Sequence, residues 1–405
     1  MHFPRSKLIF IATCAIALIA NTGAALPYPI LAPLFVDVAP NGFNHFWGIE
    51  PKFLFGLALA VNPIGILIGS MVLGPLSDRL GRRPLIMLTL WLALGMQLLA
   101  AWALSIQNYP LFLLARLALG FSEGNIAVAR AIVADVADEL PSGRAFAWFN
   151  TAAYGGWMLG PLIGGFGALW GMPAPFLLAA AATLLCLALT IACLPATVAS
   201  APQAASQSGS LRQLRQLLGV TEVRKVFLIQ LAFTLGVTTY YEFSPMWLSE
   251  FMRHSPAQIG VVIALQCLIM TLTSANVAPD VQRLPAFTRR HATWFALGML
   301  AFALMPSWPG VALMLLIAMP LASYSAAMHA LCAQCFAEHG NGAVMGLLSS
   351  VFAVANLLVA LVGGAVSMLD TRLVIGLGAL ACLGAAFALR KLEQGEQQPL
   401  ALASP

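Results

Sequence analysis

The sequence predicts an all-α integral membrane protein of twelve transmembrane helices in two pseudo-symmetric bundles of six. Three observations carry this expectation. Hydrophobic residues make up 60% of the 405 and charged residues only 9%, against about 25% charged in an ordinary soluble protein, so the chain cannot make a wetted surface. Apolar runs recur near the ~20 residues that a helix rising ~1.5 Å per residue needs to cross ~30 Å of hydrocarbon. A single small and polar break at 195–210 leaves six such runs on either side.

The runs lie at 8–35, 53–73, 84–104, 110–133, 145–168, 174–194, 225–248, 257–279, 292–307, 310–334, 343–367 and 371–389, the ninth being short. They define an N-terminal bundle (1–194), a cytoplasmic linker with a short amphipathic helix (195–223), a C-terminal bundle (224–390) and a cytoplasmic tail (391–405). In the linker, Leu211, Leu214, Leu217 and Leu218 share a helical face beside Arg212 and Arg215, the pattern of a helix lying on the membrane surface.

Orientation follows from Lys and Arg, which accumulate on the cytoplasmic side. With the N-terminus inside, that side collects Arg5, Lys7, Arg79, Arg82, Arg83, Arg130, Arg144, Arg212, Arg215, Arg224, Lys225, Arg283, Arg289, Arg290, Arg390 and Lys391. The other side keeps Lys52, Arg253 and Arg372. Both termini are therefore expected in the cytoplasm, and the net charge of +5 reflects orientation in a lipid bilayer, not nucleic-acid binding.

Span one follows Arg5 and Lys7, and a signal peptide cleaved near Ala24 and Ala25 is its alternative reading; apolar sequence running on to Val36 favours an uncleaved helix. Spans two and three are joined by a hairpin at 74–84 that carries an acid, three arginines and two glycines. Span four contains Arg116, Glu123 and Arg130, seven residues apart and so on one helix face, with Gly120 and Ala127 interspersed. Burial disfavours the charged form of an embedded carboxyl and a nearby guanidinium favours it, a balance that allows proton loading and release. The alternative is an Arg116–Glu123 ion pair that only fixes packing. Asn125 points half a turn away and is expected to bond a neighbouring backbone.

Span five repeats small residues as Gly156-x-x-x-Gly160-Pro161-x-x-Gly164-Gly165, a nearly flat face that lets a neighbour approach closely, with a bend at Pro161. Span seven carries Glu242 near its outer boundary, after Thr238 and Thr239 and beside Tyr240 and Tyr241. Glu242 is either solvated there or forms, with the tyrosines, a cavity wall for an amphipathic or cationic solute. The acid and basic cluster Asp280, Arg283, Arg289 and Arg290 between spans eight and nine is a faint echo of the hairpin at 74–84. In span ten, His329 is a packing residue or a proton relay, and Cys332-x-x-Cys335 lacks a second ligand pair and is read as structural. Seven cysteines make no disulfide framework, and neither a metal site nor a cofactor is expected.

The hairpin pattern Gly74-x-Leu76-x-Asp78-Arg79-x-Gly81-Arg82-Arg83 resembles the signature loop of the major facilitator superfamily. The resemblance extends through Arg116 and Gly120, which are similar to the span-four pair of proton-coupled members, and through Asp135 with Arg144. The span-five pattern resembles that of the 12-helix drug:proton antiporter group, which includes tetracycline efflux proteins. It covers most of the N-terminal half, whereas the C-terminal half matches mainly in span count. The resemblance implies the major facilitator fold, with a cytoplasmic gate of Gly74, Asp78, Arg79, Gly81, Arg82, Arg83, Asp135 and Arg144. Asp78 would face the start of span eleven near Gly342 and Gly346, and Arg82 would pair with Asp135; for Arg83, simple orientation of the helix is an equal alternative. The glycine motif Gly156, Gly160, Pro161, Gly164 and Gly165 would limit leakage and favour antiport.

Relatives that carry an acid inside span one differ from this chain, which has none before Asp37. Proton coupling is therefore expected at Glu123, with Arg116, or at Glu242. A substrate cavity is expected to draw on Asn21, Tyr28, Tyr154, Thr238, Tyr240, Tyr241 and Asn356. The functional expectation is a monomeric inner-membrane antiporter that exports a small organic solute, such as a drug, siderophore or metabolite, in exchange for protons by alternating access. The alternatives are a proton-coupled importer on the same scaffold and, more remotely, a membrane enzyme or scaffold that transports nothing, for which the spans supply no nucleophile with base and no nucleotide loop.

Overall fold

The computed structural model describes residues 5–36, 38–126, 128–129, 132–133, 145–194, 219, 221–277, 284–335 and 351–396. These residues are mostly helical and form no strand. Among the described residues eight helices are long and apolar enough to cross a membrane, and Val351–Ser367 is a shorter apolar one.

The first span is two helices, α1 (Arg5–Ala25) and α2 (Tyr28–Phe35). Pro27 lacks the N–H needed to continue α1, and its carbonyl starts α2 by accepting from Ile30 and Leu31. Helix α3 (Pro51–Leu80) runs on through the apolar stretch into the charged hairpin, and only Gly81 separates it from α4 (Arg82–Ser105). Gly81 has φ +89°, a conformation costly for any residue with a Cβ.

Span four begins as α5 (Tyr109–Glu123), where the Asn108 side chain accepts from the Leu111 N–H at 3.0 Å. It turns at Gly124 and Asn125 before further helical residues. The expected unbroken helix over 110–133 is thus interrupted immediately after Glu123. Span five is α6 (Ala145–Gly167) and span six α7 (Ala174–Cys193). Then come α8 (Thr221–Met252), α9 (Pro256–Asn276) and α10 (Leu284–Leu304). The ninth span is a full 21 residues, because Arg289, Arg290 and His291 coat its first turns instead of ending it. The tenth span is α11 (Trp308–Leu316) followed by α12 (Ala318–Cys335). The eleventh, α13 (Val351–Ser367), widens into a π turn over Val359–Gly363, and α14 (Thr371–Glu396) is the twelfth.

Two compact units result: Met1–Ala204 with Leu248–Ala264, and Ala205–Trp247 with Leu265–Pro405. In the first, α1 packs on α6 and α7, α3 on α5, and α4 on α5 and α7. Its core joins Ile9, Ile16, Leu85, Ile86, Leu90, Leu94 and Ile132. At one end Phe43 meets Phe35, Tyr109 and Phe112, and Tyr109 donates its hydroxyl to the Leu54 carbonyl at 2.6 Å. The tip of the α8–α9 hairpin belongs to this unit. Lys52 pairs with Glu250 at 2.7 Å, and Ser255 and Gln258 cap the start of α9 reciprocally.

In the second unit α10 packs on α11, α12 and α14. Phe233 stacks on Tyr324 and meets Phe295, while Trp247 rests on Phe302. The Tyr324 hydroxyl donates to Gln230 Oε1 at 2.8 Å.

Candidate functional site

Helices α3 and α5 meet backbone to backbone. A Cβ at Gly65 or Gly69 would overlap the carbonyls of Leu117 or Phe121, and one at Gly120 would overlap the carbonyl of Asn62. This close approach brings Asn62 Nδ2 to Glu123 Oε2, to which it donates at 3.3 Å. Arg116 is only 3% exposed. Glu123 and Tyr28 are within its electrostatic reach, yet among the described residues it makes no hydrogen bond and no ion pair, and its Nε is buried without a partner. Among the described residues Arg116 and Glu123 thus interact without a direct ion pair, and the bond that Glu123 accepts comes from Asn62 of α3.

Helix α6 presents its glycines to the first span. A Cβ at Gly156 would overlap the Leu18 carbonyl, at Gly160 it would crowd the Thr22 carbonyl, and at Gly164 it would overlap that of Leu26. Pro161 and Gly165 instead meet Gly260 and Pro256 of α9. With the helices this close, Trp157 Nε1 donates to Asn21 Oδ1 at 3.0 Å and its ring lies 5.8 Å from that of Tyr28. Asn21 also donates from Nδ2 to the Ala17 carbonyl at 2.8 Å. Tyr154, one turn before Trp157, is 70% exposed and joins no contact in this group.

Within the second unit the candidate residues lie on α8. Glu242 is 2% exposed, not solvated, and among the described residues its Oε2 has no hydrogen-bond partner; one turn earlier the buried Thr238 Oγ1 has none either. Tyr240 differs from the expectation of a cavity wall. It is wholly buried, donates its hydroxyl to the Met314 carbonyl and packs edge-on against Phe295 and Phe302. Its place is in the core because successive residues on a helix point ~100° apart. Tyr241 is half-buried and donates to Met270 Sδ at 2.9 Å. Asn356 is buried and donates to the Phe352 carbonyl of its own helix at 2.7 Å.

Of the expected cytoplasmic gate, Arg79 is exposed and Arg82 buried, while Arg83 Nη2 donates to the Ile191 carbonyl at 3.0 Å, capping the last turn of α7. Gly74, Asp78, Asp135 and Arg144 lie outside the described side chains, as do His329, Cys332 and Cys335. Among the described residues no three His, Cys, Asp or Glu side chains gather as a metal site.

Sequence reasoning misses Asn62, Trp157 and the glycines at 65, 69 and 124. Asn62 is discoverable as a polar residue inside an apolar run. The spacing of Gly65 and Gly69 on span two against Gly120 and Gly124 on span four is the other available signal.

The family model described as Major Facilitator Superfamily matches residues 8–319. The tetracycline resistance protein, class E, of Escherichia coli is 35% identical over 127 residues, 31% of each chain. The multidrug resistance protein MdtG of Klebsiella pneumoniae (strain 342) is 35% identical over 166 residues, 40% of this chain and 38% of that one. The chain thus matches about a third of the length of these relatives. Among solved structures, a D-xylose-proton symporter superposes with a TM-score of 0.72 at 16% identity, covering 94% of this chain and 97% of that one, a likeness of fold alone. This chain belongs to the Major Facilitator Superfamily.

Proposed function

Starting from that membership, we propose that the protein is an antiporter that exports a small organic solute in exchange for protons by alternating access. The observation that carries this reading is Glu242, a carboxyl buried in α8 with an oxygen that no donor satisfies. An ionised carboxylate in such a place is costly unless it is paired, and a proton is the smallest group that relieves it. Release of that proton leaves an acceptor beside Thr238 for a polar or cationic group of the cargo. Mutual exclusion of proton and cargo at one carboxyl is what exchange requires. Glu123, with a donor in Asn62 and Arg116 within electrostatic reach, is the second coupling candidate. Asn21, Tyr28 and Trp157 are proposed as cargo contacts in the first unit.

Export is favoured by the tetracycline and multidrug resistance proteins among the partial relatives. The second reading is proton-coupled import on the same fold. The remaining proposals are two six-helix halves at 1–194 and 224–390 joined by the linker at 195–223, a tail at 391–405, both termini cytoplasmic in an inner membrane, a monomer, and a gate built on Asp78, Arg82, Asp135 and Arg144.

The test uses everted vesicles acidified inside, with proton release on substrate addition and substrate uptake measured together. Wild-type protein is expected to do both. Glu242→Gln, isosteric and unable to ionise, is expected to lose proton release at least tenfold while still binding substrate. Full proton-driven exchange by a well-folded Glu242→Gln protein removes Glu242 from the mechanism, and uptake into whole cells instead of everted vesicles supports import.

A further inference from the structure

We propose that Arg116 seats an acidic group, and that the cargo is accordingly an organic anion with an apolar body. The proposal rests on the reading of the protein as a carrier of a small organic solute and names the class of that solute. Arg116 lies in α5 and is 3% exposed; among the described residues it makes no hydrogen bond, and its Nε is buried without a partner. A guanidinium carries five N–H donors in a planar fork that matches the two oxygens of a carboxylate. Such a cation is costly inside a membrane span unless its donors are satisfied, so an unfilled fork is where a ligand's oxygens gain most.

Glu123 does not fill the fork. Its attraction reaches Arg116, but among the described residues no direct ion pair joins the two. Charge is balanced across a gap, whereas hydrogen bonds need contact. With α3 pressed on α5 at Gly120, Asn62 is held beside Glu123 and donates to it at 3.3 Å.

Tyr28 is also within electrostatic reach of Arg116, and it brings an aromatic face. The Tyr28 and Trp157 ring centres are 5.8 Å apart. Tyr28 is half-buried and Trp157 is 36% exposed, with its N–H turned to Asn21. An accessible ring pair near a buried cation suits a solute with a flat apolar body and an acid at its end. An inorganic anion would use the cation and leave the rings without a role.

The experiment is calorimetric titration of the full-length protein in detergent, without a proton gradient, using benzoate, its neutral isostere benzamide, and chloride. Benzoate is expected to bind, benzamide to bind at least about tenfold more weakly, and chloride not to displace benzoate. Arg116→Gln is expected to weaken benzoate about tenfold to a hundredfold through loss of charge-assisted hydrogen bonds. Arg116→Lys keeps the charge without the fork and should fall between. Glu123→Gln removes the negative charge that competes for the same cation and should tighten benzoate at least about threefold. A purely structural role for Arg116 would move benzoate and benzamide alike. No benzoate binding by the wild type, equal binding of benzoate and benzamide, displacement of benzoate by chloride, or wild-type benzoate affinity in a folded Arg116→Gln protein overturns the proposal. Should Arg116→Gln not fold, unchanged benzoate affinity in both Arg116→Lys and Glu123→Gln overturns it equally. Proton exchange in vesicles is scored separately: absent benzoate binding with intact exchange overturns the anion class alone, and absent exchange with intact binding overturns the exchange reading alone.

Discussion

Replacing Gly120 by alanine probes the contact that brings Asn62 to Glu123. The new methyl group would overlap the Asn62 carbonyl, and a helix backbone cannot swing aside as a side-chain tip does, so α3 and α5 must part. Overpacking of this kind costs about 1–3 kcal/mol. Parting also weakens the 3.3 Å bond from Asn62 to Glu123, and a hydrogen bond to a charged group is worth about 1.5–3 kcal/mol. Gly95 in α4 is the matched control, since nothing lies within 4 Å of a Cβ built there. Alanine at either position removes the conformational cost of glycine in a helix, about 0.5–1 kcal/mol. That gain is common to both variants, so the difference between them isolates the clash: about 1–3 kcal/mol from packing alone, and more where the bond is lost. Melting of the purified proteins in detergent, followed by monodisperse recovery after heating, reads the difference. Gly95→Ala is expected at or above wild type and Gly120→Ala clearly below it. Equal melting of the two variants refutes close packing of α3 on α5.

Lys52→Glu and Glu250→Lys are each expected to weaken the protein, and the swapped pair to recover most of the loss. Their side chains are 18% and 23% exposed, so a double-mutant cycle in melting free energy should give a coupling of about 0.2–1 kcal/mol that shrinks in high salt; zero coupling at low salt would count against the pair. Trp157→Phe keeps a ring beside Tyr28 and deletes the donor to Asn21. Loss of one such bond is worth about 1 kcal/mol, and a KM raised about fivefold with kcat little changed is the expected result. An unaltered KM would separate this trio from cargo binding.

Helix number and order are readable because length and hydropathy are properties of a run of residues and need no partner. Departures come where one residue redirects the backbone. Pro27 splits the first span, and the turn at Gly124 and Asn125 interrupts the fourth after Glu123. The ninth span looks too short from hydropathy because its arginines resemble a border, although long basic side chains can coat a helix end without terminating it. Site residues are less legible, since periodicity gives a face but not the neighbour it meets. Arg116 and Glu123 share a face in sequence, yet Asn62, from another helix, decides where the carboxylate goes. Likewise Tyr240 and Tyr241 are adjacent in sequence and serve different surroundings, one the core around Phe295 and the other Met270.

The widened turn at Val359–Gly363 holds one residue more than regular α winding allows. Everything after it is rotated by about 100° relative to a plain helix continued from Asn356. That slack is a spare notch in the chain: removing one residue there would restore plain winding without shortening the helix by a full turn, and would leave the Ser367 hydroxyl on the Gly364 carbonyl, since both lie beyond the widened turn. The eleventh span therefore carries its own phase adjuster, which sets which side chains of its far end look inward.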